Sequence, residues 1–413
     1  MNKRNHICLF HLLLISCLFL THPAQTQMDE RLYTSDYHLP ADKQGELRIE
    51  VDNVTFFKDN EFTGPVMKGY SLPGLWIQPK LVFYPLSNIK IEAGAHALVY
   101  TGAYKFPNYA YEDIAVWKGS QYQKGAHVLP YFRAQVALNR VNLVLGNLYG
   151  GQNHGLSAPL YNPELNLTAD AESGFQLLCD LPHWHFDAWI NWQSFIFDID
   201  THQEAFMVGV NSTVKLNAPD APLHFFLPIQ GIVQHRGGEQ VETEEVHPVH
   251  TIANGSVGLG ATWNARHKVL RNFTAEAHLL GYYQQAGKVW PFNDGTALYA
   301  QATADLWKGI RLQAGYFRAH RFISIAGLPY FGAVSMKHEE AVFPDYPQTC
   351  TAGIEYSRVF AEHYVLGAQG SLYYSMPGRM RLAGGETQAS GHTANFSFGI
   401  YFRINPSFLL KRF

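Results

Sequence analysis

The stretch Trp184-His185-Phe186-Asp187-Ala188-Trp189-Ile190-Asn191-Trp192-Gln193 decides the fold. Trp184, Phe186, Ala188, Ile190 and Trp192 form one alternating set, and His185, Asp187, Asn191 and Gln193 form the other, with Trp189 the exception. Successive side chains of an extended chain point to opposite faces, so this is a strand with one apolar and one polar side. The same dyad runs through residues 89–97, 273–279, 298–306 and 396–404.

A soluble sandwich would give the same alternation, and three features point instead to a barrel in lipid. The alternating runs are about 10–15 residues long, where globular strands run about 5–6, and a tilted membrane strand needs roughly 9–11. The apolar face carries Ala, Gly, Val and Leu in its middle and aromatic residues such as Trp184 and Tyr283 near its ends, as interfacial girdles do. The polar face carries charge of both signs, which a dry core would reject and a wet lumen accepts.

Connections supply an independent test. The sequence divides into about 16 strands between residues 46 and 404, and the linkers alternate in length. Residues 85–88, 139, 182–183, 218–221, 265–269, 308–309 and 361–363 are short. Residues 58–72, 103–128, 150–169, 197–202, 237–249, 285–294, 321–347 and 377–393 are mostly longer. An outer-membrane barrel has short periplasmic turns, long outer loops and an even strand number that leaves both termini inside. The expected fold is all-β: a transmembrane antiparallel up-and-down β-barrel over residues 46–404.

The start of the chain explains its export. Lys3 and Arg4 precede an apolar run, Ile7 to Leu20, and His22-Pro23-Ala24 breaks it. This is the layout of a secretory signal over residues 1–24, with cleavage near Ala24 or Thr26. Leu14-Ile15-Ser16-Cys17 loosely resembles a lipidation box, but the apolar run continues past Cys17. Loss of Lys3 and Arg4 takes the formal charge from −3 to about −5, which gives no reason to expect nucleic-acid binding. Only Cys179 and Cys350 remain, at opposite ends of the expected barrel, so a disulfide is not expected. Residues 25–45 read as a periplasmic lead or a lumen insert, and 405–413 as a tail or an extension of the last strand.

Ser397-x-Gly399-x-x-Phe402-x-Ile404 resembles the signal by which the outer-membrane assembly machinery recognises a final strand, and the chain ends on Phe413. Residues 73–404, with their Tyr- and Gly-rich strands, resemble the porin-like outer-membrane barrels common in Bacteroidota, a resemblance that carries no specific activity. It implies the outer membrane of a Gram-negative cell, with membrane lipid, lipopolysaccharide and the assembly machinery as partners.

The register turns Lys80, Lys90, Glu92, Arg133, Asp187, Glu276, Asp305, Glu355 and Arg403 inward. Four are basic and five acidic, so they either line an aqueous path without strong ion preference or pair and fill the lumen. Loop 150–169 is Gly-rich and polar at its start. It is the third long loop, the one that porins fold inward, or else a plain surface loop. Loop 321–347 is unusually apolar at Ile323-Ser324-Ile325-Ala326-Gly327-Leu328-Pro329-Tyr330-Phe331. It would plug the lumen, cover the barrel, meet a protein partner or extend a strand. Glu339, Glu340 and Asp345 make a weak cation signal. Glu239, Glu242, Glu244 and Glu245 read as a solvated charge run. His183, His185 and Asp187 share a face but lack an enzyme signature, and Trp189 could stack on a sugar. The resulting expectation is a porin-like channel for small polar solutes, with a non-conducting barrel subunit or docking partner as the alternative. No enzymatic activity, catalytic residue, metal or cofactor is expected.

Overall fold

A computed structural model describes residues 31–100, 125–194, 204–237, 249–338 and 341–413. The signal-peptide reading and Glu239, Glu242, Glu244, Glu245, Glu339 and Glu340 lie outside these residues. The strands are β1 (Glu46–Glu61), β2 (Tyr70–Leu86), β3 (Ile89–Tyr100), β4 (Gly125–Leu138), β5 (Val141–Asn147), β6 (Ser173–Leu181), β7 (Trp184–Ser194), β8 (Ala205–Lys215), β9 (Leu223–Arg236), β10 (His250–Trp263), β11 (Leu270–Ala286), β12 (Asp294–Leu306), β13 (Ile310–His320), β14 (Gln348–Phe360), β15 (Tyr364–Ser375), a small hairpin β16 (Gly378–Arg381) and β17 (Thr387–Ser390), then β18 (Thr393–Ile404) and β19 (Ser407–Arg412).

Each wall strand pairs antiparallel with its neighbour, and β1 closes the circle between β2 on one side and β18 and β19 on the other. Pro406 offers no N–H to a ladder, yet its carbonyl accepts from Val51 N at 3.2 Å and pairing resumes at Ser407. β19 therefore continues β18 along β1, and the wall has sixteen staves. The tail after Ile404 is thus a strand extension. The β16–β17 hairpin stands inside what the sequence presents as one long loop: Gly378–Arg381 pairs with Thr387–Ser390, and Arg381 also bridges to Val342. At the tight turns the chain reverses in about two residues, and Asn139 supplies the left-handed φ of +57° that such a reversal needs.

Burial alternates residue by residue. Along β18, Ser397, Tyr401 and Arg403 are buried, while Phe396, Phe398, Ile400 and Phe402 are 36–53% exposed. Val128, Leu145, Leu279 and Ile354 continue this outward apolar belt around the wall. A closed barrel leaves no unpaired edge and suits lipid, and an apolar exterior of this extent is stable only there. The protein is a multi-pass β-barrel of outer-membrane type, with the short turns and both described termini at one end.

β5, with 7 residues, and β6, with 9, are the shortest staves of the wall. β4 pairs with β3 from Gly125 to Val136, but with β5 only from Arg133 to Leu138. The wall is therefore low at the β5–β6 hairpin, and above it the upper part of β4 has no described strand on that side. Gly146 and Gly174 face each other where the two strands leave the wall. A Cβ on Gly146 would lie 2.3 Å from Phe132 O, and one on Gly174 would lie 2.1 Å from Ile190 O. Only glycine lets the chain bend inward here.

Candidate functional site

All nine charged residues singled out from the sequence lie on the inner face, and most are tied to a partner. Glu92 is a hub, 3.2 Å from Lys80, 3.5 Å from Lys90 and 2.9 Å from Arg133. Arg403 meets Asp52 at 2.7 Å, Arg311 meets Asp305 at 2.6 Å, and Glu276 lies 3.2 Å from His278. Gln313 donates to Glu355 at 3.1 Å. Buried charges are tolerable only when paired and hydrogen-bonded in this way.

Three segments enter the space these strands enclose. The lead segment is one: Arg31 donates to the Ser357 carbonyl at 2.6 Å, Arg403 donates to the Thr34 carbonyl at 2.8 Å, and Gln135 donates to the Tyr37 carbonyl at 2.6 Å. The loop between β5 and β6 is the second, with Leu160, Leu165 and Leu167 buried. Its Glu164 is held by Lys58 at 2.6 Å, by Asn60 at 3.1 Å and by the Tyr70 hydroxyl at 2.5 Å. The loop between β13 and β14 is the third. Its apolar run, Phe322 to Phe331, is almost wholly buried in the same core, which accounts for its composition. The inserts also grip one another. Ser35 N donates to Asn153 Oδ1 at 2.8 Å, Ser324 Oγ to the Pro159 carbonyl at 2.5 Å, and Asn162 N to the Ala326 carbonyl at 2.8 Å. Loop 150–169 is thus an inward loop rather than a surface one.

Two histidine–carboxylate stations stand out within this arrangement. The first is sealed. His154, 1% exposed, places Nδ1 2.7 Å from Asp187 and Nε2 3.1 Å from Glu172. Its ring lies flat on Trp189, with centroids 3.5 Å apart and planes at 8°. Trp189 in turn covers Gly209, where a Cβ would lie 2.1 Å from the indole. Burial alone would push the imidazole pKa down, but the carboxylates of Asp187 and Glu172 outweigh it and raise it to about 9. Glu172 is held low by the imidazolium, against its own burial. With both nitrogens committed, His154 is an anchor and has no nitrogen left to act as a base. The sequence grouping of His183, His185 and Asp187 does not form. Asp187 turns to His154 and Gln176, while His185 lies 3.9 Å from Asp180. Trp189 is covered by His154, so it offers no face to a sugar.

The second station sits at the low place in the wall. His127, on the upper part of β4, places Nδ1 2.6 Å from Asp170 Oδ1, and both side chains keep about a fifth to a quarter of their surface exposed. Asp170 belongs to the chain returning from the lumen to β6. On β3, His96 pairs in register with Leu129 and Leu98 with His127, so a second imidazole stands on the adjacent stave. His96 lies 3.0 Å from Gln78 Nε2 through Nδ1, and its buried Nε2 finds no partner among the described residues. The ends of the shortened strands are capped by amides. Asn147 Oδ1 accepts from Phe132 N at 2.8 Å, and Asn191 Oδ1 accepts from Ser173 N at 3.0 Å. Nothing in the sequence marks His127 or Asp170, which are 43 residues apart, the first within an expected linker and the second just after one. Among the described residues no group of three or more His, Cys, Asp or Glu side chains is placed to hold a metal ion. Asp345 instead pairs with Arg379 at 2.6 Å.

Among solved structures the chain is similar to the outer-membrane protein OprD of Pseudomonas aeruginosa, at 10% identity and a TM-score of 0.44, covering 91% of this chain and 97% of that one. A loop-deletion mutant of OmpT from Vibrio cholerae is similar at 12% identity and a TM-score of 0.46, covering 87% and 99%. An anion-selective porin from Comamonas acidovorans gives 9% and 0.42, covering 87% and 100%. No curated protein matches the chain. A family model described as Lipid A 3'-O-deacylase-type matches residues 39–413. That is an enzyme-type family, and it overturns the sequence expectation of a protein without enzymatic activity. With a match that runs from before β1 through β19, the chain belongs to the Lipid A 3'-O-deacylase-type family.

Proposed function

We propose that this protein is an outer-membrane hydrolase of a Gram-negative cell that cleaves an acyl ester of a lipid A-type glycolipid, with His127 as base and Asp170 as its orienting carboxylate. One observation carries the reading. The partly exposed His–Asp pair sits beside the low place in a lipid-facing wall, with His127 on the same inner side of β4 as Tyr131 and Arg133, and the shortened β5 and β6 leave the least wall between the pair and a membrane lipid. Donation of Nδ1–H to Asp170 makes Nε2 the basic nitrogen, the arrangement a general base requires. His127 takes a proton from water as the oxygen attacks the ester carbonyl carbon. The carbon–oxygen ester bond then breaks, and the proton passes to the departing alkoxide, leaving a free fatty acid and a hydroxyl on the glycolipid. The test is mass spectrometry of lipid A incubated in detergent micelles with the purified barrel. The expected product is lighter by one acyl chain. Unchanged lipid, with the barrel folded by heat-modifiability on a gel, would sink the proposal.

Passage of small polar solutes is the second reading. It is favoured by the inner wall of β12 to β14, where Gln301, Thr303, Gln313, Thr351 and Glu355 remain partly exposed toward the end with the short turns. Planar-bilayer recording separates the two, since stable open-channel conductance would favour passage. Ser397, Gly399, Phe402 and Ile404 remain the proposed recognition strand for the assembly machinery. In its support, Phe402 lies on the exposed outer face of the closing strand. Gly399 has a further part in the fold, because a Cβ there would lie 2.1 Å from the Tyr401 hydroxyl.

A further inference from the structure

The outward face of the wall is apolar along most of its height, and near the long-loop end β13 and β14 depart from this. There β13 turns Tyr316, Arg318 and His320 outward, beside Gln348 of β14 and Tyr346 just before it. A charged side chain on the lipid face costs about 2–4 kcal/mol at the midplane and close to nothing near the headgroups. Arg318 therefore belongs at headgroup level, and the exposed tyrosines Tyr283 and Tyr346 mark the same level as an interfacial girdle.

The side chains are held in place. The Arg318 guanidinium lies 4.7 Å from the Tyr346 ring centroid, and the His320 ring stacks on that same tyrosine at 5.1 Å. The Tyr316 hydroxyl donates to Gln348 Oε1 at 2.7 Å, which leaves the Gln348 amide nitrogen as an outward donor. Arg318 has no carboxylate within ion-pair distance among the described residues, unlike Arg311, Arg379 and Arg403. Below the cluster the surface is apolar, with Leu298 at the level of Arg318 and Leu312 and Ile354 further down. Donors in excess above an apolar wall match a molecule with an anionic head and hydrocarbon chains, and a guanidinium fork fits phosphate oxygens.

We infer that Tyr316, Arg318, His320, Tyr346 and Gln348 form a binding site for the phosphate headgroup of an outer-leaflet lipid. The site lies on β13 and β14, across the barrel from β4, so it is separate from the proposed hydrolytic station and stands whether or not that reading holds. It would hold one lipid against the wall without reacting with it.

Native mass spectrometry of the detergent-purified barrel titrated with bis-phosphorylated lipid A tests this. The wild type is expected to hold a bound lipid at least tenfold more tightly than Arg318→Gln, with both proteins heat-modifiable on a gel. Arg358→Gln is the control, because Arg358 is also exposed and stacks on an aromatic ring, Phe360, but at the opposite end. Equal retention by wild type and Arg318→Gln would overturn the site, and so would an equal loss in Arg358→Gln. Lipid A with both phosphates removed is expected to lose the preference. Displacement of the lipid by millimolar inorganic phosphate would show a site for free phosphate rather than for a lipid.

Discussion

His154 and His127 carry the same chemistry, an imidazole against a carboxylate at 2.7 and 2.6 Å, and differ in almost everything else. His154 is enclosed by Asp187, Glu172 and Trp189, so its proton is locked and its charge holds a loop in place. His127 has one carboxylate described against it and a partly open surface at the low place in the wall. A histidine–aspartate pair is therefore not by itself a catalytic feature. The burial of the pair and the number of carboxylates described against the imidazole decide the role.

The largest expected effect separates the two stations by activity. His127→Ala should lower the rate of lipid deacylation at least ~100-fold, because general acid–base catalysis contributes about 10²–10⁴. His154→Gln should change that rate far less. Product formation followed by mass spectrometry reads both, and similar losses in the two variants would erase the distinction.

Stability should separate them in the opposite sense. His154→Ala leaves Asp187 and Glu172 buried without their cation, a loss of about 3–5 kcal/mol for a broken buried pair. Hydrogen exchange across residues 150–172 should rise sharply in that variant and stay near wild type in His127→Ala.

A third test uses pH. The His154 pKa is raised, so its contribution is complete below the ordinary histidine value of 6.5 and is lost as pH rises through about 9. Glu172 is lowered, so its contribution is present above the ordinary 4.5 and lost on acidification. Protection of residues 150–172 should be fullest below about pH 6.5 and fall progressively between pH 6.5 and 9, by on the order of 3 kcal/mol at about 1.4 per unit. His154→Gln should remove most of that alkaline loss.

The smallest effect concerns the contact between the two inward loops. Ser324→Ala deletes the bond to the Pro159 carbonyl and should cost about 1 kcal/mol. Faster exchange at both 156–162 and 322–328 is the expected signature, while exchange in one loop alone would mean that they do not support each other.

Much of the wall was legible in the sequence because a dyad repeat in lipid has few alternatives. Glu92, Arg133 and Asp187 sit on the polar side of their strands, and that side faces the interior. The tail after Ile404 was half legible: Pro406 marks the break, but only pairing with β1 shows that the strand resumes. The interior was half legible. Gly150-Gly151-Gln152-Asn153-His154-Gly155 leaves an inward loop and a plain surface loop both open, and what draws it inward lies elsewhere, in Asp187, Lys58 and Tyr70. The site was hidden for the same reason. His127 and Asp170 meet only because β5 and β6 stop short, and glycines such as Gly146 and Gly174 are too common in strands to announce it. The expectation of a pore came from about 16 strands with a polar inner face, which says nothing about what fills the barrel.

The most direct test is a side-by-side deacylation assay of wild type, His127→Ala and Asp170→Asn on lipid A in micelles, each confirmed as folded. The account predicts loss of one acyl chain with the wild type and at least ~100-fold slower reaction with both variants. Deacylation by His127→Ala at the wild-type rate would contradict it.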